Sequence, residues 1–320
     1  MSVERLKQRM SRGEVIILDG ATGTELQRRG VPMDELSWSA TAIVTHPDVI
    51  REVHRDYIRA GADIITTNTF GTLSLSLRGT RLADRVTEVN RRAVELAREA
   101  RSGSDRPVCI AGSMAGMIGT VYWRDASSSA EEVRRAYREQ ATLLADAGVD
   151  LLFLEMTQDI DVGVAAVEGA CAAGLPLWVA FSCNFMSALK GAERPLVAQR
   201  RDGTEYPFEQ LIEPVMAAGG EVAGVNHSEV DMMDRALEVV FKHWKGPISV
   251  YPNSGDWTPP NWGFDTVISP DAFVASAESW VARGAQVVGG CCGIGPDHIR
   301  LLSDRMRGRK VAVRSGGAKP

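Results

Sequence analysis

Two cysteines stand side by side between glycines in Gly289-Gly290-Cys291-Cys292-Gly293. Thiolates are ligands that zinc favours, and a zinc centre that does chemistry takes three protein ligands and leaves one position open. Neighbouring side chains on a regular strand point to opposite faces, so both sulfurs can reach one ion only where the backbone leaves β geometry. Flanking glycines permit that departure. A third ligand must come from elsewhere in the chain, and His227, in Gly224-Val225-Asn226-His227, is the candidate, with Cys183 in reserve. Other readings stay open at this point: two small buried thiols, a strained vicinal disulfide, or, for His227, a hydrogen-bonded structural imidazole.

Groups so far apart in sequence need a scaffold to gather them. Eight short apolar, β-branched runs recur along the chain, at 15–18, 63–67, 108–112, 151–155, 177–181, 222–225, 248–250 and 286–289. Their continuous rather than alternating character marks strands buried on both faces of a parallel sheet. Between them lie stretches of helical periodicity, such as Leu82, Val86, Val89, Ala93, Leu96 and Ala100. Eight β-then-α units without a midchain break predict an α/β protein with one (β/α)8 TIM barrel over residues 1–308, and a frayed tail at 309–320. Such barrels present reactive groups where strands end. Read in that way, the rim carries Asp19-Gly20-Ala21, Asn68, Glu155, Cys183, Asn226-His227, Tyr251 and the cysteine pair. The Arg- and Gly-rich segment 185–206 is read as a lid or a solvated insertion.

A net charge of −5 leaves no basic field for a nucleic-acid backbone or an anionic membrane surface, so neither is an expected partner. No apolar run approaches the ~18 to 20 residues that span a bilayer, and the opening 1–13 segment lacks the apolar stretch of a secretion signal. Five scattered cysteines, at 109, 171, 183, 291 and 292, fit a reducing, cytoplasmic setting better than a disulfide framework. A homo-oligomer is compatible with the chain, which has no sustained heptad.

Asp19-Gly20-Ala21-Thr22-Gly23-Thr24-Glu25-Leu26, Ala60-Gly61-Ala62-Asp63-Ile64-Ile65-Thr66-Thr67-Asn68-Thr69-Phe70, Tyr251-Pro252-Asn253-Ser254-Gly255 and Gly289-Gly290-Cys291-Cys292-Gly293 together resemble the homocysteine S-methyltransferase family. Motifs in register run from about Asp19 to Ile299. The resemblance implies a zinc-dependent barrel that moves a methyl group from a small-molecule donor to the thiol of homocysteine or a related acceptor. It implies that Cys291 and Cys292 hold Zn2+, that Asp19 and Glu155 hold the amino-acid ammonium, and that backbone amides near Gly20 and Ala21 hold its carboxylate. Asn68 and Asn226 complete the candidate substrate contacts. Capping or a solvated rim is the structural alternative for the two carboxylates.

Two departures from the family pattern bear on the chemistry. His227 stands where the pattern has a third cysteine, so a Cys2His set replaces three thiolates and the centre is one unit less negative. Ser113-Met114-Ala115-Gly116 replaces the usual Gly-Pro-containing turn. A methyl donor whose leaving group departs neutral is an onium compound such as S-methylmethionine or betaine. Trp38, Tyr122, Trp123, Tyr251, Trp257 and Trp262 are rim aromatics that could seat its cation, with hydrophobic packing as the alternative. A diverged enzyme that activates water at a Cys2His zinc, and a non-catalytic ligand-binding relative, are the competing readings.

Overall fold

The computed structural model describes residues 2–118, 127–189 and 194–314. Its strands are β1 (Ile16–Ile17), β2 (Ile64–Thr66), β3 (Cys109–Ala115), β4 (Leu151–Thr157), β5 (Leu177–Phe181), β6 (Asn184–Phe185), β7 (Leu196–Gln199), β8 (Glu205–Pro207), β9 (Val222–Glu229), β10 (Ile248–Asn253), β11 (Asp256–Thr258), β12 (Asn261–Gly263) and β13 (Val287–Val288). Eight of them form one parallel sheet in the order β1-β13-β10-β9-β5-β4-β3-β2, and a Leu18–Ile64 bridge joins its two ends. The sheet is therefore a closed barrel, and all eight runs read from the sequence supply its staves.

The helices are α1 (Val3–Ser11), α2 (Thr22–Arg28), α3 (Ala42–Thr45), α4 (Pro47–Ala60), α5 (Val86–Ser102), α6 (Ala130–Ala147), α7 (Ile160–Cys171), α8 (Glu209–Ala218), α9 (Met233–His243), α10 (Pro270–Ala282) and α11 (Pro296–Met306). Their ends follow from local chemistry. Ser129 and Glu132 cap the start of α6 reciprocally, and Gly148 ends it at φ 98°, a left-handed turn that feeds β4.

Alternation along the strands divides the apolar residues between two cores. Ile16 and Leu18 point inward with Ile64, Ala111, Phe153, Trp178 and Tyr251, whereas Val15 and Ile17 face the surrounding helices. Helix α1 plugs the floor of the barrel, burying Leu6 and Met10 in the inner core. Gln286 fastens it by donating to the Met10 carbonyl at 2.6 Å.

Two expectations need correction. Residues 309–314 do not fray: Arg309 and Val311 exchange backbone hydrogen bonds with Val15 and Gly13, and the Arg314 guanidinium donates to the Phe241 and Trp244 carbonyls. Residues 315–320 lie outside the described residues. The 185–206 segment is more than a solvated insertion, because β6, β7 and β8 form an antiparallel sheet that buries Leu196, Val197 and Ala198, while residues 190–193 lie outside the described residues. No helix among the described residues is long and apolar enough to cross a membrane.

Candidate functional site

Three separate segments meet at the mouth where the strands end. β4 brings Glu155, β9 brings Asn226 and His227, and the turn after β13 brings Cys291 and Cys292. One ligand atom from each of Glu155, His227 and Cys291 lies within 4.8 Å of the other two. The Glu155 carboxylate is 3.3 Å from His227 Nε2 through one oxygen and accepts the Ser113 hydroxyl through the other. Phe70 lies against the imidazole with ring centroids 5.2 Å apart. Cys292 stands beside this group rather than in it: it is buried, with its sulfur in hydrogen-bonding contact with that of Cys291.

The backbone is bent to achieve this. Met156 and His227 have φ of 61° and 52°, left-handed values that side-chain-bearing residues adopt at a cost of about 1 to 3 kcal/mol each. Pairing shifts register beside each of them, between Leu154 and Thr157 on β4 and between Tyr251 and Asn253 on β10. Buried Asn226 holds the first bend, its side-chain oxygen accepting the Met156 N–H at 3.0 Å while its amide nitrogen faces Glu155 at 3.4 Å. Asn253 holds the second, donating to the His227 carbonyl at 3.2 Å and accepting the Cys292 N–H at 3.1 Å. Beyond the cysteines, Gly293 sits at φ 85°, and a β-carbon there would run into the Ser254 carbonyl oxygen. Only glycine meets both demands.

Among the described residues, the site's carboxylates meet no cation except the His227 imidazole. Asp19 and Glu155 are both buried, and among the described residues neither meets a lysine or arginine. Burial lifts the Asp19 carboxyl well above its usual range, against the hydrogen bonds from Thr66 and Tyr251. The Cys291 thiol is pushed up by its contact with Cys292 and by burial. Burial alone would depress His227, but the Cys291 sulfur and the Glu155 carboxylate outweigh it and carry the imidazole up to about 10. A positive partner, either a metal ion or a substrate ammonium, would favour the charged forms of the buried Asp19 carboxyl and Cys291 thiol. Nitrogen, sulfur and oxygen donors grouped within 4.8 Å fit a zinc-type ion.

The other candidates fall into place around this centre. Asp19 accepts the Thr66 N–H at 2.6 Å and the Tyr251 hydroxyl at 3.1 Å, which fixes it below the mouth. The Ala21 N–H is spent on the Ile294 carbonyl at 3.1 Å, so the expected anion contact there is corrected. Gly20 is packed against Tyr57 and Ile294. Asn68 is engaged on both sides by Ser39, at 2.9 Å each, and braces the segment next to Trp38. Tyr251 is likewise no rim aromatic: it lies in the inner core against Phe153, with its hydroxyl on Asp19 and Gly20. Trp38 and Trp257 do meet, edge to face at 6.0 Å, and Trp262 adjoins Trp257 at 6.0 Å. Tyr122 and Trp123 lie outside the described residues. Cys183 stays buried beside Ser228. Sequence reasoning missed Ser113 and Asn253 as partners of the site, and the packing of Phe70 on His227. Their only signal was a position just past a strand end.

A family model described as homocysteine S-methyltransferase matches residues 16–306. The selenocysteine methyltransferase of Astragalus bisulcatus is 31% identical, over 90% of this chain and 91% of its own length. Homocysteine S-methyltransferase 1 of Zea mays is 28% identical, over 93% of this chain and 96% of its own. The solved structure of the homocysteine methyltransferase MmuM from Escherichia coli, in its metallated form, superposes with a TM-score of 0.71 at 28% identity, covering 94% of this chain and 99% of that one.

Proposed function

This chain belongs to the homocysteine S-methyltransferase family and is a methyltransferase, and from that premise we propose that it methylates the thiol of homocysteine or a close relative, using Zn2+ and an onium donor. The observation that carries the reading is the convergence of Glu155, His227 and Cys291 at the barrel mouth, with Cys292 alongside. His227, Cys291 and Cys292 would hold the ion. Bound there, it would supply ionisation of an incoming thiol at neutral pH, where a free thiol of pKa about 8.5 is mostly protonated.

The remaining work falls to the chain itself. Buried Glu155 offers negative charge to the acceptor's ammonium, and Asp19, below it, would ionise as that ammonium arrives. Asn226 and Asn253 hold the bends that aim the site. Trp38 and Trp257 offer ring faces and edges to a cationic methyl donor at the rim. The acceptor sulfur attacks the methyl carbon in line, the bond to the donor's sulfur or nitrogen breaks, and that atom leaves neutral with the electron pair. A small-molecule thiol and donor are the partners this requires, and the cytoplasm is the setting it suits.

A screen of thiols against onium donors, with zinc quantified on the same preparations, tests the proposal. About one zinc per chain and loss of donor matched by loss of thiol are expected. Activity undiminished after complete metal removal would overturn it, and donor loss without thiol consumption would indicate hydrolysis instead.

A further inference from the structure

We propose that Glu155 is itself a metal ligand in the thiol-free enzyme, filling the position that the acceptor's sulfur later takes and supplying the negative charge that His227 does not. The inference rests on the zinc reading above and deepens it. Its geometric basis is that Glu155, not Cys292, forms the close triad with His227 and Cys291. The carboxylate is aimed there from two sides, by the Ser113 hydroxyl on one oxygen and by Asn226 near the other. The left-handed Met156 that follows it turns the chain away at once, leaving Glu155 as the last β4 side chain before the bend. Among the described residues its only basic partner is the His227 imidazole, which becomes neutral once it ligates.

Charge accounting favours the same assignment. A divalent ion held by two thiolates and a neutral imidazole carries no net charge, and one carboxylate makes the set one unit negative, as three thiolates would. Thiolate from the acceptor brings an equal charge, so exchanging one for the other leaves the electrostatics of the pocket level. The freed carboxylate then faces the mouth, where the acceptor's ammonium would lie.

The test uses cobalt(II) as the probe ion, with affinity measured by competition against a chromophoric chelator and coordination followed by visible absorption. Glu155→Gln keeps the shape and removes the charge, and it should weaken cobalt binding at least about tenfold and alter the spectrum. A thermal melt of the metal-free protein checks that the variant folds. In a His227→Cys background, where a third thiolate restores the charge, the same substitution should cost several-fold less. Wild-type cobalt binding with an unchanged Glu155→Gln affinity and spectrum would overturn the inference alone, and so would an equal loss in both backgrounds. A wild-type protein that takes up no cobalt would overturn the zinc reading and this inference with it.

Discussion

Removing the side chain of Asn226 strips partners from two groups at once, the Met156 N–H and the Glu155 carboxylate. Buried groups left unpaired cost about 1 to 3 kcal/mol each. Asn226→Ala is therefore expected to lower the melting temperature by several degrees, and to lower kcat/KM further by letting Glu155 drift. Parallel melts and steady-state assays check this, and an intact kcat/KM would show that the bend holds without its clamp. Glu155 illustrates what could not be read from the sequence. A carboxylate at a strand end reads equally as a cap, an ammonium partner or a ligand, and nothing in the sequence shows that it lies 3.3 Å from His227. The meeting of Cys291 and His227 was legible as a candidate because few residue types suit soft metals and both follow apolar runs. Hydrogen bonds of Asn68 to Ser39 and of Tyr251 to Asp19 draw these polar groups inward, and residue type does not encode that.

The β11–β12 hairpin carries Trp257 and Trp262 over the mouth and is tied to α2 through two hydrogen bonds between Gln27 and Trp262. Trp257 is the exposed member, at 41% of its surface, so its truncation disturbs little packing. A cation–π contact worth about 0.5 to 2 kcal/mol predicts that Trp257→Ala raises the donor's KM roughly 2- to 30-fold and leaves the thiol's KM alone. A rise confined to the thiol would refute the cage. Just past β13, Gly293→Ala forces a side chain onto φ 85° and into the Ser254 carbonyl, displacing the Cys292–Ser254 backbone hydrogen bond. Loss of both stability and bound metal is expected, read by thermal melt and metal analysis. Strand starts were legible from their apolar runs, but strand ends were not. β3, β4, β9 and β10 continue through Ser113, Thr157, Asn226 to Glu229, and Tyr251 to Asn253. These polar residues break the hydrophobic pattern, and side-chain hydrogen bonds keep several of them in the sheet. The β6–β8 sheet escaped notice because its Arg- and Gly-rich composition outweighed the short apolar run at Leu196–Ala198.

On the scale of the whole molecule, acid should find one weak point away from the mouth. His54 is fully buried on α4 with neither ring nitrogen hydrogen-bonded, and burial depresses its pKa to about 4. Its folded value lies below the unfolded value near 6.5, so the stabilisation is whole above pH 6.5. It drains away as pH falls towards 4, by up to about 3 kcal/mol. His54→Leu should flatten that decline, which melts taken between pH 4 and 7 would show, and an unchanged slope would move the cause to other groups. The barrel's closure also orders events in time. β13 is the stave that fits between β1 and β10, and the sulfurs follow it directly. A polypeptide cut off before Val287 has Glu155 and His227 but neither the last stave nor the Cys291–Cys292 pair that follows it. Bringing the sulfurs to the mouth and shutting the ring are thus a single event in folding.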